Sequence, residues 1–297
     1  MKGKHWGWGL WLMGACLGLW SCQAPRTTPP TPGPPLSCLH GQLRPQLAVE
    51  DLRAAMRFYS ESLGARATST EADGAVVMVL GDSRFTLTDK DPHLTPPKTL
   101  GGTSVGLLLY TDDVQFLVDR AVKVGATVRT APQRAWWGDH YAQIITPQGH
   151  RWGIATRVEA PSAQVLAKRA AAVLQNQPWQ HIKAPPATAA IPPGYPALIP
   201  VIVADDARQQ TEHYRTDWPA TAALTIPGPD GTLIHQDLRA AQAIVMVDQR
   251  AKGFYPQPPS ALGGTSVGLQ WCDARLDMDW RRDPFGHMWR GKPAGAP

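Results

Sequence analysis

Cysteine is scarce in this chain: four occur in 297 residues, with no Cys-x-x-Cys pair. That argues against a thiolate metal site or thioredoxin-like chemistry. Charge is thin as well, at 18% of residues, and the 29 Lys and Arg form no basic run against 24 Asp and Glu. The resulting formal +5 is too dispersed for a nucleic-acid footprint, so no nucleic-acid partner is expected. The nine histidines contain no His-x-x-x-His. No nucleophile, base and acid can be read together from the pattern, so no catalytic residue is assigned. What the chain has in quantity is proline (29) and glycine (27), which point to many turns and to linkers.

The first 22 residues carry the clearest local pattern. Lys2 and Lys4 open it, no Asp or Glu occurs through Ser21, and Trp6 to Trp20 is uncharged and apolar apart from glycine. This run is short for a membrane span, which takes ~20 residues, and has the layout of an export signal. It ends Leu19-Trp20-Ser21-Cys22, which resembles the bacterial lipobox, with Trp20 departing from the usual small or β-branched residue. Met13-Gly14-Ala15-Cys16 is a weaker match, and an uncleaved anchor or an ordinary signal peptide are the alternatives. The resemblance implies a signal peptide over 1–21 and a diacylglyceryl thioether on Cys22, where each buried CH₂ contributes ~0.8 kcal/mol to membrane binding. Gln23, rather than Asp, follows the Cys and implies the outer membrane, facing the periplasm. Without Lys2 and Lys4 the chain carries 27 basic and 24 acidic groups, a net of +3.

Residues 22–41 hold six prolines and read as an extended tether. A β-α-β-β-β pattern follows: a short strand at Leu47-Ala48-Val49, a helix from Leu52 to about Ser62 capped by Asp51, and strands near 65–71, 75–80 and 83–89. The order returns with a strand over 103–111, a helix over 114–124 capped by Asp112 or Asp113, and strands near 127–134, 140–146 and 151–156. Two such units can bury one sheet face each against the other, giving a curved sheet pair around a cleft. Ser162 caps a further helix to about Asn176, and 184–200 is a second Pro-rich linker.

Then the chain repeats itself. Leu100-Gly101-Gly102-Thr103-Ser104-Val105-Gly106-Leu107 recurs as Leu262-Gly263-Gly264-Thr265-Ser266-Val267-Gly268-Leu269. The turn Pro147-Gln148-Gly149-His150-Arg151-Trp152 resembles Pro284-Phe285-Gly286-His287-Met288-Trp289, and Val49-Glu50-Asp51 resembles Ala204-Asp205-Asp206. Self-similarity on this scale means duplication. The first motif is displaced by 162 positions and the second by 137, so copy two lacks 25 residues between them. The missing stretch is expected to include a helix and the two strands after it. The domains are therefore drawn at 42–158 (complete copy), 159–195 (helix and linker) and 196–291 (truncated copy).

The segments Leu100 to Val114, Gly125-Ala126-Thr127-Val128, Trp137-Gly138-Asp139-His140-Tyr141 and Gly149-His150-Arg151-Trp152 resemble the vicinal-oxygen-chelate superfamily of glyoxalase, bleomycin-resistance and dioxygenase proteins. The implied fold is α+β: paired βαβββ modules forming a curved-sheet cleft, complete in the first copy and truncated in the second. Metal-binding relatives place His, Gln or Glu at four cleft-facing strand positions. The resemblance carries these to Pro45, Thr86, Gly106 and Gly153, and in copy two to Ile199 or Pro200, Val245, Gly268 and Arg290. None offers an imidazole or carboxylate, although a one-residue slip would bring in Gln46. No metal or other cofactor is therefore expected. His150 and His287, after the turn glycines, are read as capping the hairpin or facing water rather than as ligands.

The residues left to carry binding are aromatic and polar. Trp137, Asp139 and Tyr141 lie at the expected cleft mouth; alternatively Trp137 packs in the core and Asp139 bonds turn amides. Strand alternation puts Arg84, Thr86, Tyr110 and Arg151 on the inner face, where an arginine would favour an anionic ligand; Arg84 could also sit at an edge in solvent. The expected function is binding or sequestering of a small organic molecule in a metal-free aromatic cleft. A lyase or dioxygenase with relocated ligands, and a non-catalytic envelope interaction module, are the alternatives. Expected partners are the small molecule, the membrane through the lipid anchor, and a possible homodimer. Cys38 and Cys272 could pair outside the cytoplasm, or remain free.

Overall fold

The computed structural model describes residues 42–250, 256–272 and 279–291. The leader, the lipobox and the tether lie outside these, as does Cys38. Four modules follow one another. The first runs β1 (Gln42–Ala48), α1 (Leu52–Leu63), β2 (Arg66–Thr70), β3 (Val76–Leu80) and β4 (Ser83–Thr88). A single-turn α2 (Pro97–Leu100) leads to the second: β5 (Val105–Tyr110), α3 (Val114–Lys123), β6 (Thr127–Arg134), β7 (Asp139–Ile145) and β8 (Arg151–Arg157). After α4 (Ala163–Leu174), the third holds β9 (Leu198–Ala204), α5 (Ala207–Asp217), β10 (Thr221–Pro227), β11 (Leu233–Ala240) and β12 (Ala243–Gln249). Then come α6 (Pro259–Leu262) and a fourth module of β13 (Val267–Cys272), β14 (Trp280–Arg282) and β15 (Met288–Arg290).

The helices start where side chains can accept from the orphan amides of their first turn. Asp51, Asp113, Ser162 and Asp206 accept from the amides of Ala54, Phe116, Val165 and Gln209. Gly64 ends α1 at φ 76°, a left-handed cap suited to a residue without Cβ.

Two mixed sheets result. One has the order β14-β15-β13-β1-β4-β3-β2, the other β10-β11-β12-β9-β5-β8-β7-β6. The first sheet therefore joins modules one and four, and the second joins modules two and three, through antiparallel edges β1–β13 and β5–β9. This corrects the expectation that the cleft would form within copy one: the edges pair across copies. What the two modules of one copy share is the core behind their sheets. Tyr59 of α1 sits 5.1 Å from Phe85 of one sheet and 5.4 Å from Trp152 of the other, ring centre to ring centre. Leu47, Met78 and Leu87 meet Leu107, Ile144 and Ile154 in the same cluster.

The fourth module is shorter than the others but keeps more than expected, since β14 survives before the turn. Larger side chains occupy the core there. Leu63 and Leu109 of copy one correspond to Trp218 and Trp271, and Trp218 stacks on Tyr214 at 4.2 Å and meets Trp289 at 4.4 Å. Asp283 ties this cluster by accepting from Tyr214 Oη (2.6 Å) and Trp289 Nε1 (2.9 Å).

The two copies of the repeated octapeptide face each other. Thr103 and Thr265 each donate their single hydroxyl proton to a carbonyl, Val105 and Val267, at 2.9 Å. Ser266 Oγ must then donate to Thr103 Oγ1 (2.8 Å), and Ser104 Oγ to Thr265 Oγ1. Around this knot Leu262 covers Gly102, and Leu100 covers Gly264; a Cβ at either glycine would sit 3.1 or 3.2 Å from a leucine methyl. All four hydroxyl residues are buried. Thr265→Val keeps the shape and strands Ser104, so we expect a loss of about 1–3 kcal/mol in urea unfolding. Adding Ser104→Ala should recover part of it, with a single cooperative transition throughout; additive losses would show that the knot is not coupled.

Candidate functional site

Each sheet has a concave face turned away from the shared core. The four modules are related by a pseudo-two-fold, so the cleft between modules one and four has a counterpart between modules two and three. In the one–four cleft, Arg290, Gln270, Arg44 and Arg84 form one row across β15, β13, β1 and β4. The next row is Met288, Gly268, Gln46 and Thr86. The matching rows of the two–three cleft begin with Gly153, Leu108, Ile199 and Ile244. One face is guanidinium and amide; its twin is aliphatic.

This register corrects two assignments. Pro45 faces the core side with Leu43 and Leu47, while Gln46, fully buried, faces the cleft. Likewise Val245 belongs to the core, and Met246 lines the two–three cleft. The donor set implied for a divalent metal thus becomes Gln46, Thr86, Gly268 and Met288 or Arg290 in one cleft. In the other it is Val201, Met246, Gly106 and Gly153 or Arg151. One amide and one hydroxyl beside arginines do not fit a dication. Among the described residues no group of three His, Cys, Asp or Glu is placed to hold one.

The residues singled out from sequence divide between the two clefts. Asp139, Tyr141, Tyr110 and Arg151 lie on the two–three cleft face, and Arg84 and Thr86 on the one–four face, while Trp137 packs in the cluster of Leu166, Ala170 and Ile226, as its core alternative had it. Asp139 bonds side chains rather than turn amides: Tyr110 Oη donates at 3.2 Å and Trp137 Nε1 at 3.0 Å. Burial pushes its carboxyl up to about 6, against the pull of those two donors. Trp137 meets Tyr141 edge to face at 5.1 Å, and burial raises the Tyr141 phenol to about 12.

That cleft is filled by the chain itself. The Pro-rich segment before β9 crosses it, with Ile191 and Tyr195 packed on Leu108, Tyr110, Ile199 and Ile244. Tyr195 Oη donates to Asp237 Oδ2 (2.7 Å), and Arg239 Nη1 to the Gly194 carbonyl (2.8 Å). His235 donates from both ring nitrogens, to Asp248 (2.5 Å) and Asp237 (2.7 Å). Burial opposes its charge, but the two carboxylates outweigh burial and hold its pKa well above the usual value. Pro256 covers Gly106, and the Tyr141 ring covers Gly153.

The one–four cleft is open. A cavity of about 230 Å³ is lined by Asp73, Thr88, Lys90, Asp91, His93 and Asp279, with Trp280 and Arg290 on the fourth-module side. Gln46 Nε2 donates to Asp91 Oδ2 at 2.7 Å, which puts Gln46 directly behind the cavity wall. Gln46 Oε1 and Thr86 Oγ1 are buried without a hydrogen-bond partner among the described residues. The Trp280 ring lies over Gly268, where a Cβ would come within 2.6 Å of the indole. Arg44, 2% exposed, donates to Glu71 (2.7 Å) and Gln270 (2.6 Å). Cys272, at the same face, is disulfide-bonded, and its partner falls outside the described residues. Trp280 and Lys90 went unread in the sequence, and Arg290 was reached only as a copy-two ligand position, because the cleft is built from the two ends of the chain.

The repeat also contains Gly-x-Ser-x-Gly twice, at Gly102 to Gly106 and Gly264 to Gly268. Both serines are buried in the hydroxyl knot and precede a strand, not a helix, so neither is a nucleophile.

The fold and these paired modules define a glyoxalase-like protein, and comparison with known proteins agrees. The family model described as Glyoxalase/Bleomycin resistance protein/Dioxygenase superfamily matches residues 41–154. An uncharacterized protein of Mycobacterium bovis is 34% identical over 122 residues, spanning 38% of this chain and 80% of its own length. The chain belongs to the Glyoxalase/Bleomycin resistance protein/Dioxygenase superfamily. A mutant of glyoxalase I from Zea mays shares the fold over 83% of this chain and 91% of its own, at 13% identity and a TM-score of 0.52. A glyoxalase/bleomycin resistance protein from a Streptomyces species, 26% identical, covers 37% of this chain and 95% of its own, with a TM-score of 0.32.

His150 and His287 are buried rather than facing water. His150 Nε2 donates to the Ala48 carbonyl at 2.8 Å, and burial pulls both imidazoles down to about 4. The unfolded chain, at about 6.5, then binds protons that the folded chain refuses, so their contribution is complete above pH 6.5 and is lost as pH falls to 4. His150→Gln keeps a donor and removes the titration. Its stability should depend on pH between 6.5 and 4 less steeply than wild type, by roughly 3 kcal/mol over the window. Parallel curves in urea titrations would refute a buried neutral His150.

Proposed function

We propose that the protein binds or sequesters a small organic molecule, without a metal, in the cleft between modules one and four. One observation carries this reading: of two pseudo-symmetric clefts, one is plugged by Ile191 and Tyr195, and the other opens as a cavity of about 230 Å³ beside Trp280 and Arg290. Unpartnered buried oxygens on Gln46 and Thr86 supply polar groups behind a mostly formed wall, the mixture that small-molecule sites use. The aromatic residues Trp137, Tyr141 and Tyr110 take on a packing role in this reading. Thermal-shift screening of the purified protein against amphipathic metabolites and antibiotics tests it. A ligand at a hundredfold its Kd should stabilise by about 2.7 kcal/mol. The shift should vanish in Trp280→Ala and persist in Tyr195→Phe; the reverse pattern would move the site to the other cleft.

We further propose that the protein is exported and lipid-anchored through Cys22, on the outer membrane facing the periplasm. The charge-free apolar run and the Leu19-Trp20-Ser21-Cys22 ending support this. No helix among the described residues is long and apolar enough to cross a membrane; in this reading the acyl chains on Cys22 hold the protein there. Wild-type protein should enter the detergent phase on phase separation and label with palmitate, and Cys22→Ala should do neither. Labelling of the variant would point to Cys16 instead.

A further inference from the structure

We propose that the ligand of the one–four cleft is a small organic oxyanion, carboxylate or phosphonate, gripped by Arg290; this rests on the ligand-binding reading above. The Arg290 guanidinium lies 4.7 Å over the Trp280 ring, with its strand partner set by the Trp280–Arg290 register. Stacking occupies the flat face of a guanidinium and leaves its in-plane N–H edge pointing outward. No hydrogen bond or ion pair to that edge is made by any described residue, and Nε is buried. The indole thus fixes the orientation of a fork whose geometry matches two oxygens of one anion.

Three carboxylates share the cavity wall and keep their charge, but none forms an ion pair with Arg290 among the described residues. Asp91 is engaged by Gln46 and by the His93 amide (2.8 Å), Asp73 by the Ala75 amide (3.0 Å), and Asp279 is engaged as well. Lys90, also on the cavity wall, has no carboxylate partner among the described residues. Arg84, in the same row, lies off this cavity beside Pro196, Leu198 and Ile244, with its Nε buried without a partner. Its row neighbour Arg44 has Glu71.

The other cleft is an internal control. The position of Arg290 is held there by Gly153 under the Tyr141 ring, and that of Arg84 by Ile244. The fold is therefore satisfied by apolar residues at these places. Leaving guanidinium donors unpaired and partly buried is costly for a face with only packing to do. An arriving oxyanion removes that cost.

The test uses the purified full-length protein in detergent with matched probes: benzoate, its neutral isostere benzamide, phenylphosphonate and inorganic phosphate. Binding is read from the indole N–H signal of Trp280, assigned by its loss in Trp280→Phe. Benzoate or phenylphosphonate should move that signal at least tenfold more tightly than benzamide, and Arg290→Gln should bring the acid and the amide to equal affinity. Arg290→Lys, which keeps charge without the fork, should retain part of the preference. Comparing the two organic anions with inorganic phosphate separates the oxyanion sources and tells whether the aromatic part is needed. Equal binding of benzoate and benzamide, or an Arg290→Gln protein that still prefers the acid, overturns the inference and leaves ligand binding intact. If neither these probes nor the screening library perturb the cavity, the ligand-binding reading falls with it.

Discussion

The architecture depends on four buried hydroxyls that hold the two copies in register. Thr103, Ser104, Thr265 and Ser266 form two reciprocal hydrogen-bond chains, and each chain needs residues from both copies. An isologous contact of this kind constrains both halves identically, because each contact is made twice, Thr103 with Ser266 and Thr265 with Ser104. Here the two halves share one chain, and eight residues have stayed identical where they face each other. The glycines beside them are bound by the same rule, since Gly102 and Gly264 each accommodate the leucine of the opposite copy. Away from this contact the copies are free to diverge, and they have done so at every level.

Two compensations show how. Copy two has less chain between its two motifs and larger aromatics in its core. Trp218 and Trp271 stand where copy one has leucines, and Asp283 ties Tyr214 to Trp289. Burying that much ring area supports a module whose described strands are three and short. The clefts diverged in the opposite sense. One was filled from inside the chain by Ile191 and Tyr195, whose hydroxyl is held by an Asp237 carboxylate paired with a charged His235. The other kept its volume.

The local structure was legible in the sequence because local causes fix it. Asp51, Asp113 and Ser162 cap helices at the predicted starts, and the turn at Gly149 separates strands within a residue of their expected ends. The duplication was legible for the same reason. Strand partners across copies were not, since β1 meets β13 more than 200 residues away and hydrophobic alternation says nothing about which edge a strand will find. The metal positions show how sensitive that limit is. A slip of one residue turns Pro45 into Gln46 and moves a side chain from core to cleft. The residues singled out from the sequence fell into two different clefts, and Trp280 could be joined to Arg290 only once modules one and four were seen to share a sheet.

Replacing the metal-ligand set changes what the remaining cleft can do. A dication stabilises negative charge as a Lewis acid and needs carboxylates or imidazoles around it. A row holding Arg290, Gln270, Arg44 and Arg84 puts guanidiniums where those ligands would stand, and their charge opposes a dication there. The two arrangements favour the same sign of ligand charge by different means, and they exclude each other. Fixed guanidinium donors bind and orient an anion but do not polarise a bond as a metal does, which suits retention of a molecule better than its conversion. In the proposed reading the filled cleft serves the fold and the open cleft would serve a ligand, while the hydroxyl knot holds the two copies in register.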